Sequence, residues 1–280
     1  MKVLVTGYNG QLGYDVIKVL EARNIPCKGV DIADFDLTDA EAVSNYIRNY
    51  DPTAVIHCAA YTAVDKSEDN KDISNAVNIT GTKNIASVCK EIHAKMMYIS
   101  TDYVFDGEGD QPFEVDEPKA PKSQYGLSKS LGEESVKEYL SEYFIVRTAW
   151  VFGINGSNFV KTMIRLGKER EEITVVSDQF GSPTYTPDLS RLLCDMIVTD
   201  RYGVYHATNE GFCSWYDFAC AIMKEAGLSV KVVPVTSDKY PTKAVRPKNS
   251  RLSKSSLDQA GFERLPGWQD ALKRYVAELR

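Results

Sequence analysis

The first half of the chain alternates short, continuous apolar runs with amphipathic segments. The apolar runs have the length of buried strands and cover residues 2–7, 25–31, 53–60, 94–100 and 143–150. Between them, apolar residues recur at three- and four-residue spacing, which predicts helices over 11–22, 39–49, 72–92 and 125–140. Continuous apolar strands that alternate with helices are typical of a parallel sheet covered on both faces. We therefore predict the α/β fold class, with a doubly wound parallel sheet.

The pattern changes after residue 150, where elements become shorter and turns become richer in glycine and proline. Helical periodicity returns at 158–168, 188–198, 215–226 and 268–279. We predict a smaller α/β domain over residues 151–280, beside a first domain over residues 1–150 that also receives part of residues 185–210. No internal repeat or low-complexity segment is evident, which argues against a solenoid or a linker.

The composition indicates which classes of binding partner are excluded. The formal net charge is −6, from 33 basic and 39 acidic residues, whereas proteins that bind nucleic acid or anionic membranes have basic surfaces. No apolar run approaches a membrane span, and the first residues, MKVLVTG, lack the pattern of a signal peptide. The six cysteines form no CxxC pair, and most lie in apolar stretches. We expect a cytoplasmic protein with reduced core cysteines, rather than a metal or disulfide site, and a small-molecule partner.

A glycine-rich loop follows the first predicted strand and precedes the first predicted helix. Its glycines, Gly7, Gly10 and Gly13, have the spacing GxxGxxG. In this context they allow a tight turn, a close approach of a pyrophosphate and close helix packing, as in Rossmann-type NAD(P)-binding domains. The alternative is an ordinary strand–helix turn that happens to be rich in glycine. The cofactor contacts predicted here are Gly7, Asn9, Gly10, Gln11 and Leu12.

An acidic residue, Asp31, stands at the end of the second predicted strand. A carboxylate there can accept a hydrogen bond from the adenosine ribose, which favours NADH. Nearby side chains such as Lys28 could accommodate a 2′-phosphate, so the choice between NADPH and NADH stays open at this level.

Further cofactor contacts are predicted in the segments that follow the second and the third predicted strands. Asp36 and Leu37 are candidates for the adenine edge, although the same segment could instead cap a helix through Thr38 or Asp39. Small residues after the third strand would let a dinucleotide pass along the carboxyl edge of the sheet. These candidates are Ala59, Ala60 and the adjoining Tyr61.

The candidate catalytic groups are Tyr125, Lys129 and Thr101. Tyr125 and Lys129 are four residues apart on a predicted helix, so both side chains project from one face. A neighbouring ammonium favours the phenolate, so we expect Lys129 to lower the pKa of Tyr125. Thr101 ends the fourth predicted strand and could hydrogen-bond the substrate oxygen that Tyr125 protonates. A Tyr and a Lys at this spacing also occur by chance on solvated helices, but here the glycine loop and Thr101 appear in the order one shared site requires.

Together these features resemble the extended short-chain dehydrogenase/reductase family, and within it the branch that reduces dTDP-4-dehydrorhamnose. The resemblance extends over nearly the whole chain, through TGYNGQLG, AAYTAVDKSE, VNITGT, YISTDYVFDG, YGLSK, RTAWVFG, NFVKTM, DQFGSPT and RPKNSRL. It implies that hydride passes from NADPH or NADH to the C4 keto carbon of dTDP-4-dehydro-6-deoxy-L-mannose, while Tyr125 protonates the oxygen. The product would be dTDP-L-rhamnose, which feeds cell-surface polysaccharide in this family. The second domain would then hold the nucleotide sugar.

The resemblance also implies substrate contacts beyond the catalytic groups. Trp150 would form a wall for the sugar, and Arg246 and Arg251 would bind the diphosphate, because guanidinium matches the geometry of phosphate oxygens. Core packing for Trp150 and surface ion pairs for the arginines are the competing interpretations. The full set of substrate contacts is Thr101, Asp102, Tyr103, Trp150, Asn158, Lys161, Arg246 and Arg251.

The strand-end motif discriminates between related activities. Nucleotide-sugar 4,6-dehydratases are similar but have Thr-Asp-Glu here, with the glutamate as base, whereas Tyr103 follows Asp102 in this chain. Without that carboxylate, dehydration lacks its general base, and carbonyl reduction is favoured. Three alternatives stay open: reduction of another 4-keto nucleotide sugar, a 4-epimerase, or a regulatory binding module resembling the β subunit of methionine adenosyltransferase.

Some members of the family form dimers that hold Mg²⁺ through acidic side chains, and a homodimer is a possibility here. The matching positions are Asp15, Asp188 and Glu278. Two of the three are aspartates where longer glutamates are expected, and a hard cation needs several oxygens at short distance. We favour solvated acids and no metal site. The three histidines show no metal-ligand spacing.

Overall fold

The computed structural model describes all residues from 1 to 280. Its strands are β1 Val3–Thr6, β2 Cys27–Val30, β3 Ala54–His57, β4 Lys95–Thr101, β5 Tyr143–Thr148, β6 Val151–Phe152, β7 Glu172–Val176, β8 Phe180–Gly181, β9 Thr184–Tyr185, β10 Gly203–His206, β11 Cys213–Ser214, β12 Lys231–Val235 and β13 Asn249–Ser250. Its α-helices are α1 Gln11–Ala22, α2 Ala40–Tyr50, α3 Val64–Asp69, α4 Lys71–Asn75, α5 Thr82–Glu91, α6 Gln124–Tyr139, α7 Phe159–Glu169, α8 Thr186–Ile197, α9 Trp215–Ala226, α10 Ser255–Ala260 and α11 Trp268–Glu278.

The central sheet has six strands in the order β10-β5-β4-β3-β1-β2, and every neighbouring pair is parallel. The predicted α/β fold with a doubly wound parallel sheet is therefore confirmed. The chain runs from β1 outward to β2 and then returns to the other side of β1 with β3. The carboxyl ends of β1 and β3 consequently border a crevice, which is where open parallel sheets bind ligands.

Helices cover both faces of this sheet. Along β1, Val3 and Val5 belong to one apolar cluster, which α1 and α8 complete, and Leu4 belongs to the other, which α2, α5 and α6 complete. Alternate side chains of a strand point to opposite faces, so an all-apolar strand needs a hydrophobic layer on each side. This explains why the strands appear in the sequence as continuous apolar runs.

The helix predicted over 72–92 is wrong in detail. The structure has α4, a π-helical segment at Ala76–Gly81 and α5 instead, preceded by the short α3. The π segment widens the turn around Asn78, whose side chain is buried and bonded to neighbouring elements. Apolar spacing cannot distinguish such a local widening from a regular helix, and π segments are frequent at functional sites.

The second half of the chain forms smaller sheets around its own apolar cluster, which includes Phe152, Phe218 and Tyr275. The parallel pair β7–β12 and the three-stranded sheet β11-β8-β13 were not predicted. The strands β7 and β12 are partly exposed and so form no continuous apolar run, and β8, β11 and β13 have only two residues each. Two elements of this half, α8 and β10, pack into the central sheet and its core. The division into domains at residue 150 stays a prediction.

None of the helices combines the length and the apolar character needed to cross a bilayer. All six cysteines are unpaired, and Cys89, Cys194 and Cys213 are buried. The cytoplasmic location stays a prediction.

Candidate active site

A cleft of about 870 Å³ lies along the carboxyl edge of the central sheet and extends to the start of α9. Its lining contains residues predicted for all three roles, cofactor binding, catalysis and substrate binding. These are Gly7, Asn9, Gly10, Gln11, Leu12, Asp31, Asp36, Leu37, Ala59, Ala60, Tyr61, Thr101, Asp102, Tyr103, Tyr125, Lys129 and Trp150. Asn158, Lys161, Arg246 and Arg251 are not among the lining residues.

The loop between β1 and α1 requires glycine at two positions. Gly7 has a φ of +67°, and a Cβ at Gly13 would lie 2.3 Å from the carbonyl oxygen of Gly7. No side chain caps the N-terminus of α1, and its first turn contains no acidic residue. The backbone N–H groups and the positive end of the helix dipole are therefore available to an anion. The loop fits the pyrophosphate of a nicotinamide dinucleotide.

Asp31 is held in place at the end of β2. Its carboxylate accepts hydrogen bonds from the N–H of Asn9 at 3.2 Å and of Ile32 at 2.8 Å. The ammonium of Lys28 lies 4.8 Å from the centroid of the Tyr46 ring, so the Lys28 side chain packs on Tyr46. Asp31 thus presents a fixed acceptor to the cleft, and Lys28 interacts elsewhere.

The adenine-edge candidates lie in a loop that is stabilised by local hydrogen bonds. Asp36 accepts from both the N–H and the hydroxyl of Thr38 at 2.8 Å, and these bonds lower the pKa of its exposed carboxyl. Asp39, the alternative candidate, caps α2 by accepting from two backbone N–H groups. The carbonyl of Leu37 accepts from the side chain of Asn84 at 2.9 Å. Asp39 therefore performs the capping, and Asp36 and Leu37 shape the rim of the cleft.

Asn78 supports the cleft from behind and was not predicted from the sequence. Its carboxamide accepts from the N–H of Tyr61 at 2.8 Å, donates to the carbonyl of Tyr61 at 3.2 Å and donates to the hydroxyl of Ser128 at 2.9 Å. It thereby joins the loop after β3 to helix α6. A polar residue within the apolar spacing of the predicted helix 72–92 was the signal that could have identified it.

The structure brings Thr101, Tyr125 and Lys129 to one end of the cleft. Burial lowers the pKa of Lys129 to about 7, and the Glu133 carboxylate opposes this shift. The ammonium lies 4.0 Å from the centroid of the Tyr98 ring, a favourable cation–π distance. Burial raises the pKa of the Tyr125 phenol, and its interaction with the Thr101 hydroxyl opposes the rise. In the protein alone, burial thus dominates the pKa of Tyr125, and the lowering by Lys129 that we predicted from the sequence makes no contribution.

A buried carboxylate lies one helical turn beyond Lys129. Glu133 accepts from the guanidinium of Arg147 at 2.8 and 2.9 Å, from Ser100 at 2.6 Å and from Lys119 at 3.1 Å. Burial alone would raise the pKa of Glu133, but these donors outweigh it and hold the pKa at about 2. Glu133 is therefore a permanent negative charge that favours the charged form of Lys129.

Asp102 and Tyr103 follow Thr101 at the end of β4. The Asp102 carboxylate is buried, accepts from Thr101 at 2.9 Å and accepts from Ser250 at 2.5 Å. Burial raises the pKa of Asp102 to about 6, although both hydroxyls oppose the rise. Tyr103 packs edge-on against Tyr125 with ring centroids 5.5 Å apart. Ser250 reaches this point from β13 and was missed by sequence reasoning, because nothing local links it to β4.

Trp150 lines the cleft just beyond the end of β5, the strand that neighbours β4. Its ring stacks on that of Trp215, with centroids 3.7 Å apart and an interplanar angle of 14°. Its backbone φ is +50°, an unusual conformation for a bulky residue that is typically retained at functional sites. Trp215 also lines the cleft and was not predicted. The two indoles form one flat apolar wall.

Asn158 and Lys161 have protein partners, and their substrate contacts stay a prediction. Asn158 caps α7, and its amide nitrogen lies within hydrogen-bond distance of the Gln11 side chain, the carbonyl of Gly153 and the hydroxyl of Tyr275. The Lys161 ammonium donates to backbone carbonyls of the preceding loop. Their polar atoms are already used, so we interpret both as structural residues of the connection between β6 and α7.

The two arginines proposed for the diphosphate also have protein partners. Arg246 forms an ion pair with Asp65 at 2.6 Å, and it lies beside Tyr103, whose pKa burial raises to about 12. Arg251 donates to the side chain of Asn249 at 3.0 Å and lies 4.6 Å from the centroid of the Phe180 ring. Only a ligand that replaces the Asp65 contact would bring Arg246 onto a phosphate.

The acidic positions considered for Mg²⁺ do not fit a hard cation. Asp188 accepts hydrogen bonds from Arg191, Arg274 and Asn209. Glu278 accepts from the Tyr185 hydroxyl at 2.6 Å, and Asp15 accepts from the Thr186 hydroxyl at 2.5 Å. Guanidinium groups occupy the oxygens of Asp188 that a divalent ion would need, and hydroxyl groups donate to the other two acids. The absence of a metal stays a prediction.

Comparison with known proteins agrees with this geometry. The protein-family model described as RmlD substrate binding domain matches residues 1–280. Spore coat polysaccharide biosynthesis protein SpsK of Bacillus subtilis is 41% identical over 277 residues, which are 99% of this chain and 97% of that protein.

Two solved structures are similar throughout. A dTDP-4-dehydrorhamnose reductase from Clostridium acetobutylicum superposes with a TM-score of 0.98 at 44% identity, covering 100% of this chain and 99% of that one. The dTDP-4-dehydrorhamnose reductase from Bacillus anthracis, in complex with NADP, superposes with a TM-score of 0.97 at 43% identity, covering 99% and 100%. The resemblance found in the sequence is thus confirmed, and the chain belongs to the RmlD substrate binding domain family.

Proposed function

We propose that this chain is a nicotinamide-dependent dTDP-4-dehydrorhamnose reductase, which forms dTDP-L-rhamnose. The observation that carries the proposal is the convergence of Thr101, Tyr125 and Lys129 on a cleft whose other end has the glycine loop of a dinucleotide site. The names of the similar solved structures support the same activity.

The reduced nicotinamide, when bound, supplies the hydride that the C4 keto carbon receives. Tyr125 donates a proton to the keto oxygen, and the Thr101 hydroxyl orients that oxygen by a hydrogen bond. Lys129, one helical turn from Tyr125 on α6, would supply a positive charge that favours the phenolate left after proton transfer, while Glu133 favours the charged lysine. A ligand that excludes water from the cleft strengthens each of these interactions.

The nucleotide sugar would lie between the catalytic end of the cleft and the wall formed by Trp150 and Trp215. Arg246 would bind the diphosphate by leaving Asp65, because both partners are partly exposed and the exchange replaces one anion by another. Tyr103 stands where dehydratases carry a glutamate, so the chain lacks the base for elimination. This favours reduction over dehydration.

The choice of coenzyme is part of the proposal. Asp31 presents a carboxylate to the adenosine ribose, and Lys28 is engaged with Tyr46, which favours NADH. The Bacillus anthracis relative was solved with NADP, so NADPH is the second candidate. Mg²⁺ has no part in the proposed reaction, and a homodimer stays a prediction.

A regulatory role resembling the β subunit of methionine adenosyltransferase is not favoured. A binding module has no need for Thr101, Tyr125 and Lys129 at one end of a cofactor cleft. The same coenzyme assay with UDP-linked 4-keto sugars separates reduction of a different nucleotide sugar from the proposed substrate.

The test is coenzyme oxidation followed by absorbance, with dTDP-4-dehydrorhamnose generated in situ. We expect Tyr125→Phe to lower kcat by about 100-fold or more, because general acid catalysis contributes about 10²–10⁴ in rate. Coenzyme binding, measured by fluorescence, should persist in the variant. If the wild type oxidises neither NADH nor NADPH, the proposed function fails; if the variant is as fast as the wild type, the role of Tyr125 fails.

A further inference from the structure

Three hydroxyl and carboxyl groups form a buried chain beneath the catalytic end of the cleft. Ser250 donates to one oxygen of Asp102 at 2.5 Å, and Thr101 donates to the other at 2.9 Å. Ser250, Asp102 and Thr101 are each at most 5% exposed. The chain joins β13, from the second half of the molecule, to the end of β4.

The direction of the Thr101 hydroxyl depends on the charge of Asp102. The oxygen of Thr101 also accepts the N–H of Tyr103 at 3.3 Å. When Asp102 is ionised it has no proton to donate, so it must accept the proton of Thr101. The Thr101 hydroxyl then cannot donate to a keto oxygen.

A neutral Asp102 reverses this arrangement. Its own O–H can donate to Thr101, whose two lone pairs are then filled by Asp102 and by the N–H of Tyr103. The Thr101 proton then points into the cleft, which Thr101 lines and where the Tyr125 phenol is its hydrogen-bond partner without substrate. Ser250 continues to donate to the second oxygen of Asp102.

We propose that Asp102 is a positioning residue that acts as a neutral carboxylic acid, so that the Thr101 hydroxyl donates into the cleft while Ser250 holds the second oxygen of Asp102. The inference rests on the proposed role of Thr101 in carbonyl reduction. A carboxylic acid kept neutral by an apolar site is an established way to supply a hydrogen bond to a developing oxyanion.

The surroundings of Asp102 favour the neutral form more than water does. Burial raises the pKa of Asp102 to about 6, against the effects of Ser250, Thr101 and the backbone N–H groups of Asp102 and Tyr103. The titratable groups that face it are Tyr103 at its own strand end and Tyr125 on α6, and burial raises the pKa of both phenols. Arg246 and Asp65 lie beyond Tyr103 and are paired with each other. No cation is hydrogen-bonded to Asp102 to hold it ionised.

The pH dependence of kcat/KM tests the inference. If the neutral form is competent, activity falls as pH rises through about 6, the pKa of Asp102. Ser250 stabilises the ionised form, so Ser250→Ala should raise that pKa and move the decline to higher pH. The buried Ser256 has a hydroxyl without a hydrogen-bond partner, so Ser256→Ala is the matched control and should leave the profile where it is.

The pKa of Lys129 is about 7, so its titration can also lower kcat/KM as pH rises. This second decline is distinguished because it should not move in Ser250→Ala. Asp102→Asn provides a permanent neutral donor to Thr101, so the decline near pH 6 should disappear while turnover persists. Asp102→Ala lacks the donor and should lower kcat by about tenfold below about pH 6, where the wild-type carboxyl is neutral.

An Asp102→Asn enzyme that is folded but as slow as Asp102→Ala, or a Ser250→Ala profile that coincides with the wild type, would overturn the inference. Both results leave the wild-type reductase intact, whereas a wild type without coenzyme oxidation contradicts the proposed function itself.

Discussion

Burial determines the protonation of single residues at the catalytic end of the cleft. It lowers the pKa of Lys129 to about 7 and raises that of Asp102 to about 6. A base and an acid whose ordinary pKa values lie far apart therefore both titrate near neutral pH. It also raises the pKa of Tyr125 and so keeps the phenol protonated. A protonated phenol is the form required of a proton donor. The phenol therefore has the protonation state that ketone reduction needs before any ligand arrives.

At the other end of the cleft, a single carboxylate is expected to govern coenzyme choice. Replacing Asp31 by Ala removes an acceptor for the ribose hydroxyl and the repulsion of a 2′-phosphate. The ratio of kcat/KM for NADPH to that for NADH should rise by about tenfold. Asp36→Asn, which changes a carboxylate occupied by Thr38, should alter the ratio less. An unchanged ratio in Asp31→Ala would remove Asp31 from the ribose site.

Among the elements, α6 is placed by glycines that permit close packing. A Cβ at Gly126 would lie 2.2 Å from the carbonyl of Tyr103, and a Cβ at Gly132 would lie 2.2 Å from the hydroxyl of Tyr98. The helix thus lies directly against β4 and the segment that follows it. This contact brings Tyr125 and Lys129 within reach of Thr101.

The Gly132 contact predicts a loss of stability on enlargement. Gly132→Ala forces a methyl group against Tyr98 and the carbonyl of Asn78, so the free energy of unfolding should fall by about 1–3 kcal/mol. Urea denaturation measures this change. Glu138→Ala, at an exposed position of the same helix, should change it by less than about 0.5 kcal/mol. Equal effects in the two variants would contradict the packing argument.

A second arrangement between elements connects α3 with the segment before β13. Asp65 pairs with Arg246, Asp69 pairs with Lys243, and the N–H of Ala244 donates to Asp65 at 3.1 Å. These contacts hold the segment that contains Arg246 beside the cleft. Partly exposed ion pairs contribute little stability. Replacing Asp65 by a substrate phosphate as the partner of Arg246 therefore costs little free energy.

This exchange predicts opposite effects for the two partners of one ion pair. Arg246→Ala should raise KM for the nucleotide sugar by about tenfold or more, because a charge-assisted contact to phosphate is lost. Asp65→Asn frees Arg246 and should lower KM or leave it equal. Steady-state kinetics with saturating coenzyme measures both. A higher KM in Asp65→Asn and no change in Arg246→Ala would mean that Arg246 serves only the ion pair.

On the scale of the whole molecule, a buried polar network joins the two halves of the chain. Arg147 on β5 bonds to Glu133 on α6 and contacts the ring nitrogen of His206 on β10 at 3.3 Å. Burial and, to a smaller extent, the Arg147 guanidinium lower the pKa of His206 to about 3. His206 is therefore neutral in the folded protein, since a charged ring would face a buried cation.

The neutral His206 predicts destabilisation by acid. The pKa of His206 in the folded protein lies below the unfolded value of about 6.5. As pH falls below about 6.5, the unfolded chain therefore binds a proton at His206 that the folded chain does not bind. Between about pH 7 and about pH 5, this linkage contributes a loss of about 2 kcal/mol. In His206→Gln the loss over that interval should be smaller by this amount, measured by urea denaturation at both pH values. Parallel losses would contradict the assignment.

Much of the fold follows from local sequence. The apolar runs predicted β1 to β5, and the three- and four-residue spacing predicted α1, α2 and α6, because strand and helix periodicities are local properties. The prediction was wrong at 72–92, where the structure has a π segment that contains the buried Asn78. The spacing of apolar residues does not reveal such a segment. The short strands β7 and β12 were missed, since their pairing joins residues about sixty positions apart.

The sequence by itself determined the parallel sheet, the glycine loop and the order of Thr101, Tyr125 and Lys129, because each depends on residues close together in the chain or on strand ends that share one edge. Only the tertiary structure decided which other side chains reach that edge. It brought Ser250 to Asp102 and Trp215 to Trp150, and it turned Asn158 away into a helix cap. Hydrogen bonds and ring stacking between distant segments depend on how the elements pack, and burial, which sets the charge of Asp102, exists only after that packing has formed.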